Sequence, residues 1–452
     1  RHNILTVSGI DTQREELTPL DATDLRSKPL WELAVAAGKS AAAVSWPVSH
    51  PATVFNSVVV SDAFAESRAQ DFDSWGLQPK SVHPPELGDA LADMRLHLNE
   101  LTAEQVLPFV PEASRIDQET DERLPLLMET LARASSTHAC ATWLIEHNPT
   151  DLLAVHFELL ERLTNRFLQY RKPRMNHVTE TDFDIYRRVV DSAYQFMDLM
   201  LGRYLELLEP DTYVMVVSDH GYLTDHLRNP GDIGAPASAL RHYRSLGVFA
   251  CAGPGIREDE LVFGANLLDV APTALSLLGV PVPEALEGQV LSRIFTDPPE
   301  PVPRDTSLEF SPQRESRDEA NLDWAASRLR EWVALGYLAL PADDPEIAAE
   351  QAGVARLLNL ATVRRHRRDF RGAIAAYENV LAMLPEHRQA RLGIAECHYV
   401  LGDAVECRKS LEDVVESGMR GAAVDYLFGQ LCVLEGDAEA AREHLKKAEE
   451  AG

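Results

Sequence analysis

The segment best suited to chemistry is Ser218-Asp219-His220-Gly221, which directly follows the apolar run of residues 213–217. An adjacent aspartate and histidine offer one carboxylate oxygen and one imidazole nitrogen, a pair suited to zinc or manganese. The apolar run predicts a buried strand of parallel type, and α/β proteins bind ligands just beyond the carboxyl ends of such strands. Gly221 allows a tight turn, so that Asp219 and His220 can face one ion. The alternative interpretation of an Asp-His pair in this place is an ordinary turn.

Three features further along the chain favour the metal site over the turn. His242 lies just before a second apolar run that ends in Gly253-Pro254-Gly255. Residues 266–279 have the pattern of a capped helix, with Asp269 at its start. Glu287-Gly288 then closes this part of the chain. This context raises the Asp-His pair above an ordinary turn.

These candidate ligands need a sheet to hold them, and the first 295 residues alternate short apolar runs with helical patterns, as α/β domains do. The predicted strands are 41–46, 58–60, 152–157, 213–217 and 248–251, and the predicted helices are 30–37, 124–147 and 183–208. Residues 84–120 are charged and helical in pattern, which predicts an insertion or cap over the sheet.

The bulk composition limits the function. The chain has 452 residues and a formal net charge of −28, so we expect at least two domains and no surface for nucleic acid. No apolar stretch is long enough for a transmembrane helix. The five cysteines are scattered, which favours a reducing compartment and a cytoplasmic location.

A repeat with a period of 34 residues occupies the last part of the chain. Asp369, Asp403 and Asp437 are separated by 34 residues each, and small residues recur four positions after each of them. This period of paired helices is the tetratricopeptide pattern, which predicts an all-α solenoid with a groove for a protein or peptide partner. The alternative is that the repeats dimerise the protein or pack back on the first domain. We predict an α/β domain at 1–295, a Pro-rich linker at 296–318 and a helical domain at 319–452, with repeats at about 355–452.

Several separated motifs together resemble a known family. The Ser-Asp-His-Gly motif and the features after it occur with Trp46-Pro-Val-Ser-His50-Pro51 and Val58-Val-Val-Ser-Asp62 further upstream. In this order they resemble the alkaline phosphatase superfamily, in particular its type I phosphodiesterase/nucleotide pyrophosphatase-like branch. The resemblance covers residues 1–295 and is closest to bacterial members that carry C-terminal tetratricopeptide repeats. It implies an alkaline phosphatase-like central sheet flanked by helices.

The resemblance also implies a mechanism. Two divalent ions, zinc or alternatively manganese, would clamp a phosphoester while a Thr or Ser nucleophile attacks phosphorus. One ion would take Asp219 and His220. The other would take His242 together with the pair that stands where the family has Asp-x-x-x-His, which here is Glu161 and Asn165. Glu161 can still ligate a cation, whereas Asn165 offers only a neutral amide oxygen in place of an imidazole.

Two further points follow from the resemblance. Arg1-His2-Asn3-Ile4 resembles sequence that follows the nucleophile in the family, so we expect the nucleophile and an Asp ligand upstream of Arg1. His156 is a candidate replacement ligand, with a core or surface histidine as the alternative. Asp225 and His226 are candidates for orienting His220, with a solvated loop as the alternative.

The sequence therefore supports two hypotheses. In the first, the protein is a metal-dependent phosphodiesterase or phosphatase that acts on a small phosphoester, with a partner bound at the repeats. In the second, Glu161 and Asn165 mark a catalytically impaired homologue that acts as a binding or scaffold protein. Sulfate ester hydrolysis, which needs a modified Cys or Ser in its own motif, is a weaker third candidate.

Overall fold

The computed structural model describes residues 8–11, 16–52, 57–66, 72, 75–117, 119–225, 228, 243–244, 246–297, 304–305 and 345–451. Backbone contacts divide them into two units. The α/β unit contains the described residues from 20 to 305. The repeat unit contains residues 345–451 and an antiparallel hairpin of β1 (Ser8–Asp11) and β2 (Glu16–Pro19). Most of the predicted linker 296–318 lies outside the described residues, so the domain boundaries stay a prediction.

The elements of the α/β unit follow one another in chain order. Its strands are β3 (Ala41–Trp46), β4 (Val58–Ser61), β5 (Val82–His83), β6 (Leu152–Val155), β7 (Val214–Ser218), β8 (Gly221–Tyr222), β9 (Tyr243–Arg244), β10 (Val248–Ala252), β11 (Val282–Pro283) and β12 (Arg304–Asp305). Its helices are α1 (Leu30–Ala36), α2 (Gly88–Ala92), α3 (Ala103–Val106), α4 (Arg123–His147), α5 (Leu159–Phe167), α6 (Glu180–Tyr186), α7 (Val189–Leu207) and α8 (Val270–Leu277).

A four-stranded mixed sheet with the order β5-β4-β3-β6 forms the centre of this unit. β3 is parallel to β4 and to β6, and β5 is antiparallel to β4. Successive residues of a strand point to opposite faces, and helices cover both faces here. Ala41 and Ala43 pack against α1, while Ala42 and Val44 pack against α4. Burial on both sides explains why β3 and β4 are continuous apolar runs rather than alternating ones.

The strand that leads to the Ser-Asp-His-Gly motif differs from its prediction. Within the described residues, β7 pairs only with β10, antiparallel, with Ser218 opposite Val248. Val216 is 41% exposed and Val248 is 57% exposed. The prediction of a buried, parallel-type strand at 213–217 was therefore wrong. The amino-acid composition shows that a strand is apolar, but the elements that pack against the strand decide whether its apolar side chains are buried.

A helical layer lies beside the sheet. The predicted helix 183–208 is two helices, α6 and α7, which are separated by Arg187 and Arg188. The region 84–120 contains only short helices and turns, but Val106, Phe109 and Val110 pack in the same core cluster as α4, α5 and α7. This region is thus part of the helical layer.

A buried ionic network fixes α5 against α4. Arg162 is almost fully buried, and its guanidinium contacts Glu129 at 3.2 Å, Glu158 at 3.5 Å and the Thr130 hydroxyl at 3.2 Å. Arg133 contacts Glu158 at 3.0 Å. Because buried charges are stable only when they are paired, this network fixes the register of the two helices.

The repeat unit consists of three helical hairpins. Its helices are α9 (Pro345–His366), α10 (Phe370–Met383), α11 (Arg388–Leu401), α12 (Ala404–Glu416), α13 (Ala422–Glu435) and α14 (Ala438–Ala451). Gly402 and Gly436 end α11 and α13 in the left-handed conformation, with φ of 77° and 83°. The ring of Tyr377 packs on Gly393, where a Cβ atom would lie 2.4 Å from the ring. The 34-residue period therefore predicted this architecture correctly.

Candidate functional site

Asp219 and His220 lie at the carboxyl end of β7, as the sequence predicted. His220 Nε2 is 3.7 Å from Asp219 Oδ1. The Asp219 side chain is 67% exposed, while that of His220 is 18% exposed. His220 Nδ1 donates a hydrogen bond of 3.2 Å to the carbonyl oxygen of Gly221. A carbonyl can only accept, so this bond leaves Nε2 as the nitrogen with the free lone pair.

The spacing of this pair is compatible with two of the ligands of one divalent cation. Two ligands of a tetrahedral zinc ion, each bound at about 2.1 Å, lie about 3.4 Å apart. The 3.7 Å between His220 Nε2 and Asp219 Oδ1 is close to that separation. Metal-binding histidines usually donate their second ring N–H to a carbonyl or carboxylate, and here the Gly221 carbonyl accepts it. The donor set is thus suited to a cation such as zinc or manganese.

Close approach of the backbone explains the glycine in the motif. A Cβ atom on Gly221 would lie 2.9 Å from the carbonyl oxygen of Leu246, and one on Gly247 would lie 1.9 Å from that of Ser218. The two chain segments at the end of β7 can therefore approach only because both positions lack a side chain.

Tyr243 connects the two predicted halves of the site. Its hydroxyl donates to Glu161 Oε1 at 3.0 Å and accepts from Asn165 Nδ2 at 3.1 Å. Its ring stacks on the imidazole of His220, with ring centroids 3.8 Å apart and an angle of 15° between the planes. The structure thus brings Glu161, Asn165 and His220 to a single tyrosine.

A second tyrosine closes the cluster. The Tyr222 ring meets His220 and Tyr243 edge to face, with centroids 5.3 Å and 5.4 Å away. Its hydroxyl donates a long hydrogen bond of 3.4 Å to the backbone oxygen of Glu161. Burial, together with the neighbouring Tyr243 and Glu161, raises the pKa of Tyr222 well above its usual range. Tyr222 is therefore a neutral phenol at physiological pH.

The remaining predicted site residues have different surroundings. His242 and His226 lie outside the described residues. His156 contacts Trp46, with ring centroids 5.9 Å apart, and lines a cavity of about 20 Å³ together with Arg133 and Arg162. This volume suits one water molecule.

Asp225 is exposed and its side chain accepts a hydrogen bond from Thr224. The group that contacts the ring nitrogen of His220 is instead the Gly221 carbonyl. The roles proposed for His156 and Asp225 stay predictions.

Among the described residues, no group of three or more His, Cys, Asp or Glu side chains is arranged around a common metal position. Asp219 and His220 stay predicted ligands of one ion. Glu161 and Asn165 are close enough to share one ligand, but the ligand that they share in this structure is the Tyr243 hydroxyl.

Sequence reasoning missed Tyr222 and Tyr243. Each directly follows a predicted ligand segment, since Tyr222 comes after the Ser-Asp-His-Gly motif and Tyr243 comes after His242. Aromatic residues beside two candidate histidines were the available signal. It also missed the buried arginines, because nothing local distinguishes Arg162 from a surface arginine.

The fold defines the class of the chain: an α/β domain that is followed by a helical repeat domain. Comparison with known proteins places both parts. Residues 8–230 match the family model "Type I phosphodiesterase / nucleotide pyrophosphatase", and residues 365–431 match "Tetratricopeptide repeat". Residues 8–230 of the chain therefore belong to the type I phosphodiesterase/nucleotide pyrophosphatase family, and a tetratricopeptide repeat region follows.

One curated human protein is similar over a shorter stretch. It is described as "GPI ethanolamine phosphate transferase 3, catalytic subunit" and is 31% identical over 117 residues, which is 25% of this chain. The match spans 10% of that protein's length. The search of solved structures found no significant match. No helix among the described residues is long and apolar enough to cross a membrane.

Proposed function

We propose that the α/β unit is a metal-dependent phosphoester hydrolase or transferase domain and that the repeat unit binds a protein or peptide partner. The observation that carries the first part is the pair Asp219 and His220, with a separation that suits one cation and a ring tautomer fixed by Gly221. The pair lies inside the segment that matches the phosphodiesterase family.

In this proposal a bound divalent ion would supply the positive charge that an acidic chain otherwise lacks for holding a phosphate. The chain's own residues do the rest. Asp219 and His220 would hold the ion, while the Gly221 carbonyl keeps the proton on Nδ1 of His220. Tyr222 and Tyr243 cover the imidazole from two sides. The substrate class is a small phosphoester, and no residue of the chain is assigned as the nucleophile.

The proposal includes a second reaction, the transfer of a phosphate-linked group to an acceptor other than water. The human relative is named as a transferase, whereas the family model is named for phosphodiesterases and pyrophosphatases. Both reactions break a phosphoester bond and differ in whether water or another hydroxyl accepts the phosphoryl group.

A binding or scaffold protein is the alternative function. It is favoured by Glu161 and Asn165, whose side chains hold a tyrosine hydroxyl instead of offering an open ligand set. In that case the repeats would be the active surface, and a cytoplasmic location would suit either function.

The test measures metal binding and phosphoester binding on the full chain. Zinc and manganese are titrated by calorimetry, and an inert nucleoside phosphorothioate diester is then titrated with and without the metal. We expect metal-dependent binding of the diester that Asp219→Ala abolishes. Hydrolysis of an aryl phosphodiester is followed in parallel.

Asp211→Ala is the matched control, because Asp211 is an exposed aspartate just before β7. It should leave both titrations unchanged. If Asp219→Ala binds metal and diester as the unchanged chain does, the proposed function is wrong. If the chain does not bind the diester either with or without metal, and a partner binds at the repeats, the scaffold alternative is supported.

A further inference from the structure

The hydroxyl of Tyr243 sits between the two residues that the family resemblance assigns to a second ion. Asn165 Nδ2 donates to it at 3.1 Å, and it donates to Glu161 Oε1 at 3.0 Å. We propose that this hydroxyl takes the place of a second metal ion, and that Tyr243 is a positioning residue for His220 at a single-ion site. The inference rests on the proposed function, since it takes Asp219 and His220 as ligands.

The direction of each hydrogen bond supports this assignment. A phenol has one proton to donate and lone pairs to accept with, and a carboxylate can only accept. The chain from the Asn165 amide through the Tyr243 hydroxyl to the Glu161 carboxylate uses every group in a role that it can perform. Glu161 and Asn165 are one helical turn apart on α5, so their side chains lie on one face and a single hydroxyl reaches both.

The chemistry of the pair also favours a phenol over a cation. Asn165 presents its NH₂ group to Tyr243, and not the amide oxygen, which is the atom through which an asparagine can ligate a metal. Zinc prefers imidazole, thiolate and carboxylate, so an asparagine weakens a site that needs a histidine. As a hydrogen-bond donor, the same asparagine suits a tyrosine hydroxyl well.

The ring of Tyr243 extends this arrangement to the first ion. It lies nearly parallel to the imidazole of His220, 3.8 Å away, while the Tyr222 edge meets the same imidazole. Stacking fixes the plane of the imidazole, and the bond to the Gly221 carbonyl fixes its rotation in that plane. Glu161 and Asn165 therefore act on His220 through Tyr243, and this packing would keep Nε2 oriented for a bound ion.

The first measurement is the number of zinc ions per chain, by native mass spectrometry during a zinc titration of the full chain. We expect one ion, which Asp219→Ala removes. Two ions per chain would overturn this inference and leave the proposed function standing. A chain that binds no ion would refute the proposed function itself, so the two failures are distinguishable.

The second measurement separates the ring of Tyr243 from its hydroxyl. Tyr243→Phe keeps the stacking and loses both hydrogen bonds, and zinc affinity should fall by no more than about tenfold. Tyr243→Leu loses the ring stacking as well as the hydrogen bonds. Zinc affinity should then fall by roughly 10–100-fold, as for other residues that orient a metal ligand. Tyr426→Leu, at an exposed tyrosine of the repeat unit, is the control. Equal affinities for Tyr243→Leu and the unchanged chain would overturn the positioning role, whereas partial rescue by Tyr243→Phe supports it.

Discussion

The candidate site has two halves, Glu161 with Asn165 and Asp219 with His220, which follow similar strands but are packed differently. Each follows a short apolar strand, since α5 with Glu161 and Asn165 comes after β6, and Asp219 with His220 comes after β7. β6 belongs to the four-stranded sheet, and α5 is fixed by the buried Arg162 network. β7 has one strand partner within the described residues and exposes much of its apolar surface.

This difference teaches that position after a strand does not by itself set the environment of a ligand. On the α5 side, buried charges and close packing make the geometry rigid, and substitutions there should act on stability. On the β7 side, a substitution of the exposed Asp219 should change metal binding and leave the free energy of unfolding nearly unchanged. All six tryptophans precede residue 340, so tryptophan fluorescence reports on unfolding without a signal from the repeat helices. This allows each prediction to be measured on the full chain.

The largest effect is expected from Arg162→Met. Removing this guanidinium leaves Glu129 and Glu158 short of a counter-charge in a buried place, which should cost about 3–5 kcal/mol of unfolding free energy. Urea unfolding followed by tryptophan fluorescence measures it. The double variant Arg162→Met with Glu129→Gln should be less destabilised than Arg162→Met alone, because it also removes the buried charge of Glu129 that Arg162 no longer neutralises. A loss below 1 kcal/mol for the single variant would mean that the network is not a support of α5.

Asp219→Asn tests the opposite half. Zinc affinity should fall by about 100-fold or more, because loss of a direct ligand exceeds the usual effect of losing an orienting residue. Stability without metal should change by less than about 0.5 kcal/mol, since the side chain is mostly exposed. Calorimetric zinc titration and urea unfolding give the two numbers. A large loss of stability here would break the comparison between the halves.

A matched pair of valines compares the two sheets directly. Val60 in β4 is fully buried, whereas Val216 in β7 is 41% exposed. Val60→Ala should cost about 2 kcal/mol from lost burial and the cavity left behind, and Val216→Ala only a few tenths, or about 0.5 kcal/mol at most. The urea midpoints of the two variants provide the check. Equal costs would show that β7 is covered as well as the central sheet.

The smallest effect concerns pH. His138 on α4 contacts the ring of Tyr204 on α7, with centroids 4.7 Å apart. Burial lowers its pKa, and the positive charge of Arg203 lowers it further. The unfolded chain therefore binds this proton more tightly than the folded one. Its contribution to stability is full above pH ~6.5 and is lost as the pH falls below that value.

The measurement is the urea midpoint of the unchanged chain and of His138→Gln between pH 5 and 8. The difference in pH dependence between them isolates this histidine. We expect the unchanged chain to lose more stability on the acid side than His138→Gln does. Parallel curves would contradict the assigned role of His138.

Much of the architecture was determined by the sequence itself. β3 was predicted with the bounds that the structure shows, and β4 and α1 to within one residue. The aspartates spaced by 34 residues predicted three helical hairpins, because each repeat forms the same pair of helices and packs on the next repeat along the chain. The motif with Asp219 and His220 was placed correctly just after its strand. These features depend on residues that are near one another in the chain.

The tertiary structure decided how deeply those elements are buried and which distant residues they contact. The burial of β7 depends on its neighbours, and its only partner among the described residues, β10, is antiparallel and also exposed. The Tyr243 hydroxyl bonds to Asn165 and Glu161 across 78 and 82 residues. No local pattern encodes such a pairing, because it results from how distant segments pack. The sequence thus predicted candidate ligands, and the packing of distant segments decided that Glu161, Asn165 and His220 all contact Tyr243.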